Sequence, residues 1–453
     1  MEFYDRDEEL NLLKTIEDKS KNRSYMTLIY GRRRVGKTRL IQQHFKNRKF
    51  LYFFTAKKAD SLLARDFQEE IKQKFDIDIY GTPENTLDIF KILVQLGKKE
   101  PINVVFDEFQ NYEYVNRNIF AGIQKIWDLD IENTDTRINF IFSGSSVSLI
   151  KRIFLGEEEP LFGRLSYRLH LQPLKLKVLK EILTDHHLYT LDNFIDLYIL
   201  SGGIPKYIDF FIDSGAKNFE AFIKGFIFEN SPLLEEGKFS LIEEFGKKYG
   251  IYFAILQLIS EGKTKRSEIL SILKDAQEIG GYLSVLENSN LKLIAKHKPF
   301  NQKGSRNIRY IINDPFYQFW FRFIYKNISA VEASNFDYLK ENILRDWPIY
   351  RGVMFETFIK EALKESLLFN RIGSYWDRRG LNEVDVVAIN DDKKYILMGE
   401  CKLNKAKGKL NQLMAKSIEL EKEFQSCQKI YKLFYPEMID EIIENPRGFL
   451  FTD

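Results

Sequence analysis

Short apolar runs alternate with amphipathic segments over residues 1–171. Four runs rich in β-branched and aromatic residues are typical of buried strands, at 25–30, 51–54, 102–106 and 138–142. Three segments between them have the spacing of helices, at 62–75, 87–97 and 119–127. Because strands and helices alternate, we predict an α/β fold whose parallel sheet is covered by helices on both faces.

The pattern divides the rest of the chain into three further predicted domains. Residues 172–240 are helical with a break at 201–207, and we expect a small lid of the kind that packs over a nucleotide. Residues 241–325 hold three short helical segments and then two strand-like runs around a loop at 301–305, the order of a winged helix-turn-helix. Residues 326–453 return to a mixed pattern of strands and helices, which predicts a C-terminal α/β domain.

Length and composition narrow the class of protein. A chain of 453 residues is too long for one hydrophobic core, and its longest uncharged apolar stretch is too short to cross a bilayer. The acidic N-terminus argues against a signal peptide, and two distant cysteines cannot form a metal knuckle. We therefore expect a cytoplasmic protein with no membrane partner. A net charge of +3 means that any affinity for nucleic acid must come from a local patch.

The segment that joins the first strand to the next helix fits the phosphate-binding loop G-x-x-x-x-G-K-[ST] at every fixed position. Its glycines allow backbone N–H groups to face phosphates, Lys37 would reach the β- and γ-phosphates, and Thr38 would offer its hydroxyl to Mg²⁺. We predict that ATP is bound by the whole loop, namely Gly31, Arg32, Arg33, Arg34, Val35, Gly36, Lys37 and Thr38.

A second signal supports the first. The buried run at 102–106 ends in Asp107-Glu108, which is a Walker B arrangement. We expect Asp107 to hold the Mg²⁺ ion with Thr38, and Glu108 to polarise the water that attacks the γ-phosphate.

Two further candidates lie later in the same domain. Ser143 begins a Ser-Gly-Ser-Ser segment after the strand at 138–142, where hydroxyl groups either sense the γ-phosphate or cap the next helix. Arg164 precedes the last strand of the domain and is either a catalytic arginine or an ordinary surface residue.

The predicted winged helix concentrates positive charge on its helix turn and its wing. The cations are Lys263, Lys265, Arg266, Lys292, Lys296, Lys298, Lys303, Arg306 and Arg309. We expect them to contact the phosphates of duplex DNA, and the alternative is a merely basic domain that contacts protein.

The C-terminal domain carries a second catalytic pattern. Asp385 lies on one strand-like run, and the next run leads into Glu400-Cys401-Lys402, which is how a PD-(D/E)xK nuclease places its groups. Asp385 and Glu400 would bind Mg²⁺, Glu356 would complete the metal shell through water, and Lys402 would stabilise the charge that develops at the phosphate. The alternative is a degenerate nuclease fold with charges at its strand ends.

These motifs together resemble the archaeal-type P-loop ATPases, close to AAA+ and STAND ATPases, whose C-terminal domain is restriction-endonuclease-like. The resemblance covers nearly the full length and includes the motifs at 31–38, 104–109, 160–164, 202–207 and 399–402. It implies an ATP-binding core with Arg164 near the γ-phosphate. The segment around Pro205 would act as the lid sensor, although it carries no arginine.

The hypothesis that follows is an ATP-hydrolysing enzyme coupled to DNA binding and to Mg²⁺-dependent DNA cleavage. One rival is a STAND-like switch, in which the nucleotide controls assembly and the C-terminal half only binds protein or DNA. Another is an ATP-dependent DNA-binding protein without nuclease activity. Assembly into a homo-oligomer stays open in all three.

Overall fold

The computed structural model describes residues 2–132, 134–245, 249–274, 279–288, 292–300, 307–377 and 380–451. The chain divides into two compact units, Glu2–Gln172 and Pro173–Asp453. Within those described ranges, no helix combines the length and the apolar character that a membrane span requires.

The first unit is built on a five-stranded sheet in which all neighbouring strands are parallel, in the order β2-β3-β4-β1-β5. Its strands are β1 Tyr25–Tyr30, β2 Leu51–Phe54, β3 Ile102–Asp107, β4 Ile138–Gly144 and β5 Tyr167–His170. Its helices are α1 Asp7–Ser20, α2 Lys37–His44, α3 Asp60–Phe75, α4 Thr86–Lys99, α5 Tyr112–Val115, α6 Ile119–Ile126 and α7 Val147–Leu155.

Aromatic packing holds the centre of this sheet together. The ring of Phe106 on β3 stacks on Phe90 of α4 with centroids 4.9 Å apart, and on Phe142 of β4 at 5.6 Å. All three side chains are buried, and each contributes roughly 1.5–3 kcal/mol through burial. The strand order places β4 between β1 and β3, so the carboxyl end of β4 lies between the loop after β1 and the acidic end of β3.

The second unit begins with helices and a short hairpin. The helices are α8 Leu176–Asp185, α9 Leu191–Ser201, α10 Pro205–Asp213, α11 Phe219–Phe226, α12 Pro232–Phe245, α13 Tyr249–Ser260, α14 Arg266–Ile272 and α15 Ile279–Asn288. Strands β6 Ile294–His297 and β7 Arg309–Ile312 follow as an antiparallel pair.

The unit ends in a four-stranded sheet of order β11-β10-β9-β8, in which only β10 and β11 run parallel. Its strands are β8 Arg371–Trp376, β9 Glu383–Asn390, β10 Tyr395–Cys401 and β11 Gln428–Phe434. The helices of this part are α16 Pro315–Phe319, α17 Ile328–Glu332, α18 Phe336–Glu365, α19 Leu410–Glu423, α20 Ile439–Glu444 and α21 Pro446–Phe451.

Helix α18 connects this sheet to the helices at the start of the same unit. Arg351 donates to Asp196 of α9 at 2.6 Å, and Phe358 meets the rings of Phe194 and Tyr198 edge-on at 5.2 and 5.3 Å. The Arg351 guanidinium is charged at every relevant pH, so its contact with the Asp196 carboxyl group is polar throughout. This polar contact and the ring contacts of Phe358 both join α18 to α9. Glu356 lies between these two anchors and is therefore carried on a firmly held segment.

The predicted α/β fold with its parallel sheet and second, C-terminal sheet is confirmed. The strand-like run that carries Asp385 is β9, which pairs with β8 as a hairpin. The predicted limit between residues 240 and 241 lies within α12. The loop at 301–305, Lys303 and Arg306 lie outside the described residues.

Candidate functional site

The loop between β1 and α2 needs its two glycines for different physical reasons. A Cβ added at Gly31 would lie 2.5 Å from the carbonyl oxygen of Leu171, so the backbone at Leu171 leaves no room for a side chain. Gly36 has a φ of 98°, in the left-handed region that favours glycine. The predicted motif therefore forms a tight turn at the carboxyl end of β1.

Lys37 is folded back over this loop. Its ammonium donates to the carbonyl oxygens of Gly31 and Arg32, both at 2.9 Å, and the residue is only 6% exposed. Burial lowers the pKa of Lys37 to about 8, although the carboxylates of Glu108 and Asp107 act in the opposite direction. The cation therefore rests on two carbonyl oxygens, which the oxygens of a phosphate can replace.

Thr38 and Asp107 are in direct contact. The Thr38 hydroxyl donates to Asp107 Oδ2 at 2.8 Å, and the same oxygen accepts a hydrogen bond from the Tyr52 hydroxyl at 2.5 Å. Burial and then the charge of Asp107 raise the pKa of Tyr52, so it stays a donor. Hard oxygen donors in this arrangement suit Mg²⁺. Sequence reasoning missed Tyr52, because nothing in its spacing from the loop marks it.

Glu108 is fixed by its backbone and by two side chains. Its φ of 51° is left-handed, which is uncommon outside glycine and costs free energy that the surroundings must offset. Its Oε2 accepts from the hydroxyl of Ser145 at 2.6 Å and from the side-chain amide of Gln110. The hydroxyl-rich segment after β4 thus contacts the acidic end of β3, through Ser145.

Ser143 and Arg164 are placed differently from the four residues above. Ser143 is fully buried in β4, and its hydroxyl has no hydrogen-bond partner within the part of the chain that the structure describes. Arg164 makes a paired contact with Asp128 at 2.7 and 2.9 Å and donates to two carbonyl oxygens of its own segment. The structure therefore brings together Lys37, Thr38, Asp107 and Glu108, while Arg164 is held by groups outside the loop. The roles of Ser143 and Arg164 stay predictions.

The four predicted residues of the C-terminal domain also lie close together. Asp385 Oδ2 accepts the backbone N–H of Cys401 at 2.9 Å, which ties β9 to the end of β10. Lys402 Nζ lies 2.9 Å from Glu400 Oε1 and 3.9 Å from Asp385 Oδ2. Lys416 of α19, which no spacing in the sequence marks, contacts the same Glu400 oxygen at 3.3 Å.

Burial and mutual repulsion disturb the ionisation of these carboxyl groups. Burial raises the pKa of Glu356 to about 7, and Asp385 adds to the rise while Lys360, 3.6 Å away, opposes it. Burial also raises the pKa of Asp385. Burial acts in the same direction on Glu400, but the ammonium groups of Lys402 and Lys416 outweigh it and lower its pKa. Groups with disturbed pKa values that meet at strand ends are typical of functional sites.

The carboxylates of Asp385 and Glu400 suit Mg²⁺ better than a metal whose ligands are all supplied by the protein. No group of three or more His, Cys, Asp or Glu side chains arranged to hold a metal is present among the residues that the structure describes. Mg²⁺ is usually held by one or two carboxylates, with water and phosphate oxygens completing its shell. Asp385 and Glu400 fit that requirement.

The helices α13–α15 and the β6–β7 hairpin carry the predicted cations unevenly. Arg309 donates to Glu383 of β9 at 2.5 Å and lies over the ring of Trp376 at 4.4 Å, and Lys296 pairs with Glu287. Helix α15 contains no lysine or arginine at all. The remaining described cations of the set are exposed, namely Lys263, Lys265, Arg266, Lys292 and Lys298. Within the described part of the predicted set, exposed positive charge is therefore at the start of α14 and at the two ends of β6, and Lys274 after α14 is exposed as well.

Known families agree with this organisation. Residues 3–211 match an ATPase domain found predominantly in Archaea, and residues 320–418 match a domain of archaeal and bacterial proteins of unknown function. An uncharacterized protein of Methanocaldococcus jannaschii is 31% identical over 416 residues, which are 88% of this chain and 87% of that protein.

Solved structures are similar as well. The Walker-type ATPase PABY2304 of Pyrococcus abyssi, which shows the same fold, has a TM-score of 0.54 and 21% identity, over 71% of this chain and 96% of that chain. The ORC2 protein of Aeropyrum pernix, solved with ADPNP and ADP, has a TM-score of 0.47 and 16% identity, over 74% of this chain and 96% of that chain. The predicted resemblance is confirmed at the level of the ATPase family, and the enzyme prediction with it. The chain belongs to the archaeal-type P-loop ATPases, nucleotide-binding enzymes in which an ATPase domain is followed by a C-terminal domain shared by proteins of unknown function.

Proposed function

We propose that Lys37, Thr38, Asp107 and Glu108 carry Mg²⁺-dependent ATP hydrolysis. Lys37 would neutralise the β- and γ-phosphates, and backbone N–H groups of the loop would bind the phosphate oxygens. Thr38 and Asp107 would hold Mg²⁺, which when bound offsets the phosphate charge. Glu108 would accept a proton from the attacking water, with Ser145 and Gln110 fixing the direction of its carboxylate.

The lowered pKa of Lys37 makes ATP affinity depend on pH. Below pH 8 the side chain is mostly an ammonium ion, while above pH 8 it is mostly neutral and must take up a proton to pair with phosphate. We expect the Kd for ATP to rise about tenfold per pH unit above pH 8, because one proton is then bound with each nucleotide. Calorimetric titrations between pH 7 and pH 9.5 measure this directly. Lys37→Arg, whose charge does not titrate in that range, should show no such slope.

We further propose that the unit 173–453 binds nucleic acid and cleaves it with Mg²⁺. The convergence of Asp385, Glu400 and Lys402 at the ends of two adjacent strands is the observation that carries this proposal. In the cleavage reaction Asp385 and Glu400 would hold Mg²⁺, and Lys402 would stabilise negative charge at the phosphate. Glu356 would complete the metal shell through a water molecule. Incubation of labelled DNA with the protein and Mg²⁺ or Mn²⁺ tests it.

The exposed cations before α14 and after β6 support the binding half of this proposal. Their ammonium groups would contact the phosphates of duplex DNA. Helix α15, which would be the recognition helix of the proposed winged helix, has no lysine or arginine. The four domains 1–171, 172–240, 241–325 and 326–453, with the third acting as a winged helix, belong to the same proposal.

Charge reversal on this surface should weaken DNA binding at every sequence. We expect the triple variant, which replaces Lys263, Lys265 and Lys298 by Glu, to lower affinity for duplex DNA. For this variant, the slope of log affinity against log salt concentration should become shallower by about one for each phosphate that the protein no longer neutralises. A control with an equal change of charge at exposed positions earlier in the same unit replaces Lys177, Lys217 and Lys224 by Glu. Fluorescence anisotropy across a salt titration measures both, and equal affinities for the two variants would favour a protein-binding role.

A further inference from the structure

A cleft of about 790 Å³ lies within the unit 173–453, between α18, the β6–β7 hairpin and strands β8 and β9. Glu356 and Asp385 both line it. The contact of Arg309 with Trp376 and Glu383 and the hydrogen bond from the N–H of Phe300 to the carbonyl oxygen of Ser374, 2.9 Å, join the hairpin to the neighbouring sheet. A molecule in the cleft would therefore reach the carboxyl groups of the proposed nuclease site.

The size of the cleft limits what it can hold. Pockets for single small ligands measure roughly 300–1,000 Å³, and this cleft lies within that range. That is room for about one or two nucleotides, whereas the two strands and grooves of a duplex require far more space. The hairpin contacts keep one wall in place, so a duplex would have to break them to enter.

One wall of the cleft is apolar and open. Ile349 and Val353 on successive turns of α18 are 78% and 59% exposed. The rings of Trp376 and Tyr350 also line the cleft. Tyr350 is 6% exposed, and its buried hydroxyl has no hydrogen-bond partner within the described ranges. The wall thus offers the exposed aliphatic surface of Ile349 and Val353, while the rings of Tyr350 and Trp376 are buried.

Positive side chains line the cleft beside that wall. Lys360 lies 3.6 Å from Glu356, and Lys364 lies 3.0 Å from Glu361, each pair within one or two turns of α18. A phosphate group can compete with these carboxylates for the ammonium groups, because each pair joins side chains about one turn apart on a single helix. Three further cations line the cleft, namely Lys265, Arg309 and Arg322, and so do the carboxylates of Glu261, Glu268, Glu383 and Asp385.

We propose that this cleft binds the unpaired nucleotides of a single strand and leads them to Asp385 and Glu400, an inference that rests on the proposed nuclease role. Bases would pack on the exposed side chains of Ile349 and Val353, and phosphates would contact Lys360 and Lys364. Proteins bind single strands without regard to sequence by combining a surface on which bases pack with cations that contact the phosphates. Duplex DNA would be held at Lys263 and Lys298, which do not line the cleft, while an unpaired end enters the cleft past Lys265, which does.

The test compares binding of two oligonucleotides by the full chain in EDTA, where cleavage plays no part. The probes are a fluorescent single strand of about six nucleotides and a blunt duplex, read by anisotropy. The variant Ile349→Glu with Val353→Glu changes exposed positions, and Tyr338→Glu is its control, a 50% exposed residue of α18 that does not line the cleft. Thermal unfolding of all three proteins checks that each is folded.

We expect the double variant to bind the single strand at least about tenfold more weakly, with duplex affinity changed less than about threefold and the control unchanged in both. If a mononucleotide displaced the single strand at a concentration similar to that of the strand, the ligand would be a free nucleotide rather than a strand, and the inference would be overturned. Parent protein that fails to bind the single strand, or a double variant that binds both probes equally weakly, would overturn it too. Because EDTA removes cleavage from the assay, an inactive nuclease site would leave this result unaffected.

Discussion

Glu108→Gln should keep ATP bound and reduce its turnover by about 10²–10⁴-fold. The amide preserves the shape of the side chain and its contacts with Ser145 and Gln110, but it cannot accept a proton from water. Lys37, Thr38 and Asp107 are untouched, so nucleotide affinity should stay within a few fold of the parent. Steady-state phosphate release and a binding titration with ATP, on the same preparation, separate the two effects.

The matched control is Glu100→Gln, the same exchange at an exposed residue after α4. It should leave both rate and affinity unchanged. Ser145→Ala should lower the rate by a smaller factor than Glu108→Gln, with affinity for ATP retained, since Ser145 only positions the carboxylate. A Glu108→Gln enzyme that hydrolyses ATP at the parent rate would show that another group activates the water.

The second large effect concerns the C-terminal sheet. Asp385→Asn and Lys402→Ala should each remove Mg²⁺-dependent cleavage of DNA and spare ATP hydrolysis. Asn keeps an oxygen that can accept the N–H of Cys401 but loses the charge that favours Mg²⁺, and Ala at position 402 removes the cation beside Glu400 and Asp385. Cleavage of end-labelled DNA and phosphate release measure the two activities side by side.

Asp392→Ala is the control for this pair, because Asp392 is an exposed residue of the turn between β9 and β10. It should leave cleavage intact. Parent protein that cleaves neither DNA nor RNA with Mg²⁺ or Mn²⁺, with or without ATP, would show that the acidic cluster is not a nuclease site. The ATPase proposal does not depend on that outcome.

The core of the ATPase domain could be predicted because its signals are local. Gly36 must take a left-handed φ, and Lys37 and Thr38 follow it directly, so three neighbouring residues encode the loop. The buried run before Asp107 likewise predicts both a strand and the place where it ends. Parallel strands bring their carboxyl ends to one edge, which is enough to expect Thr38 and Asp107 to meet.

The supporting side chains could not be predicted because they come from elements that meet only in the folded chain. Tyr52 reaches Asp107 because β2 pairs with β3, and Lys416 reaches Glu400 because α19 packs on β10. Neither contact has a fixed spacing along the sequence. The same is true of the cleft, whose walls combine Val353, Arg309 and Trp376 from three separate segments.

Arg164 shows a different limit of sequence reasoning. Its motif suggests a residue that acts on the γ-phosphate, but the structure pairs it with Asp128 of the same unit. An arginine that pairs with a carboxylate can exchange it for a phosphate, because both present oxygens to the same guanidinium. Sequence predicts the residue type that such a role needs, whereas the partner depends on the bound ligand.

The rate of ATP hydrolysis with and without duplex DNA tests the central claim most directly, because that claim joins an ATPase to a nucleic-acid-binding unit. We predict that DNA stimulates hydrolysis by the parent protein in Mg²⁺. We also predict that the stimulation disappears when Lys263, Lys265 and Lys298 are replaced by Glu, while the rate without DNA stays the same. A parent rate that does not change across a full titration of duplex and single-stranded DNA would contradict the claim and favour a nucleotide-controlled switch that acts on protein.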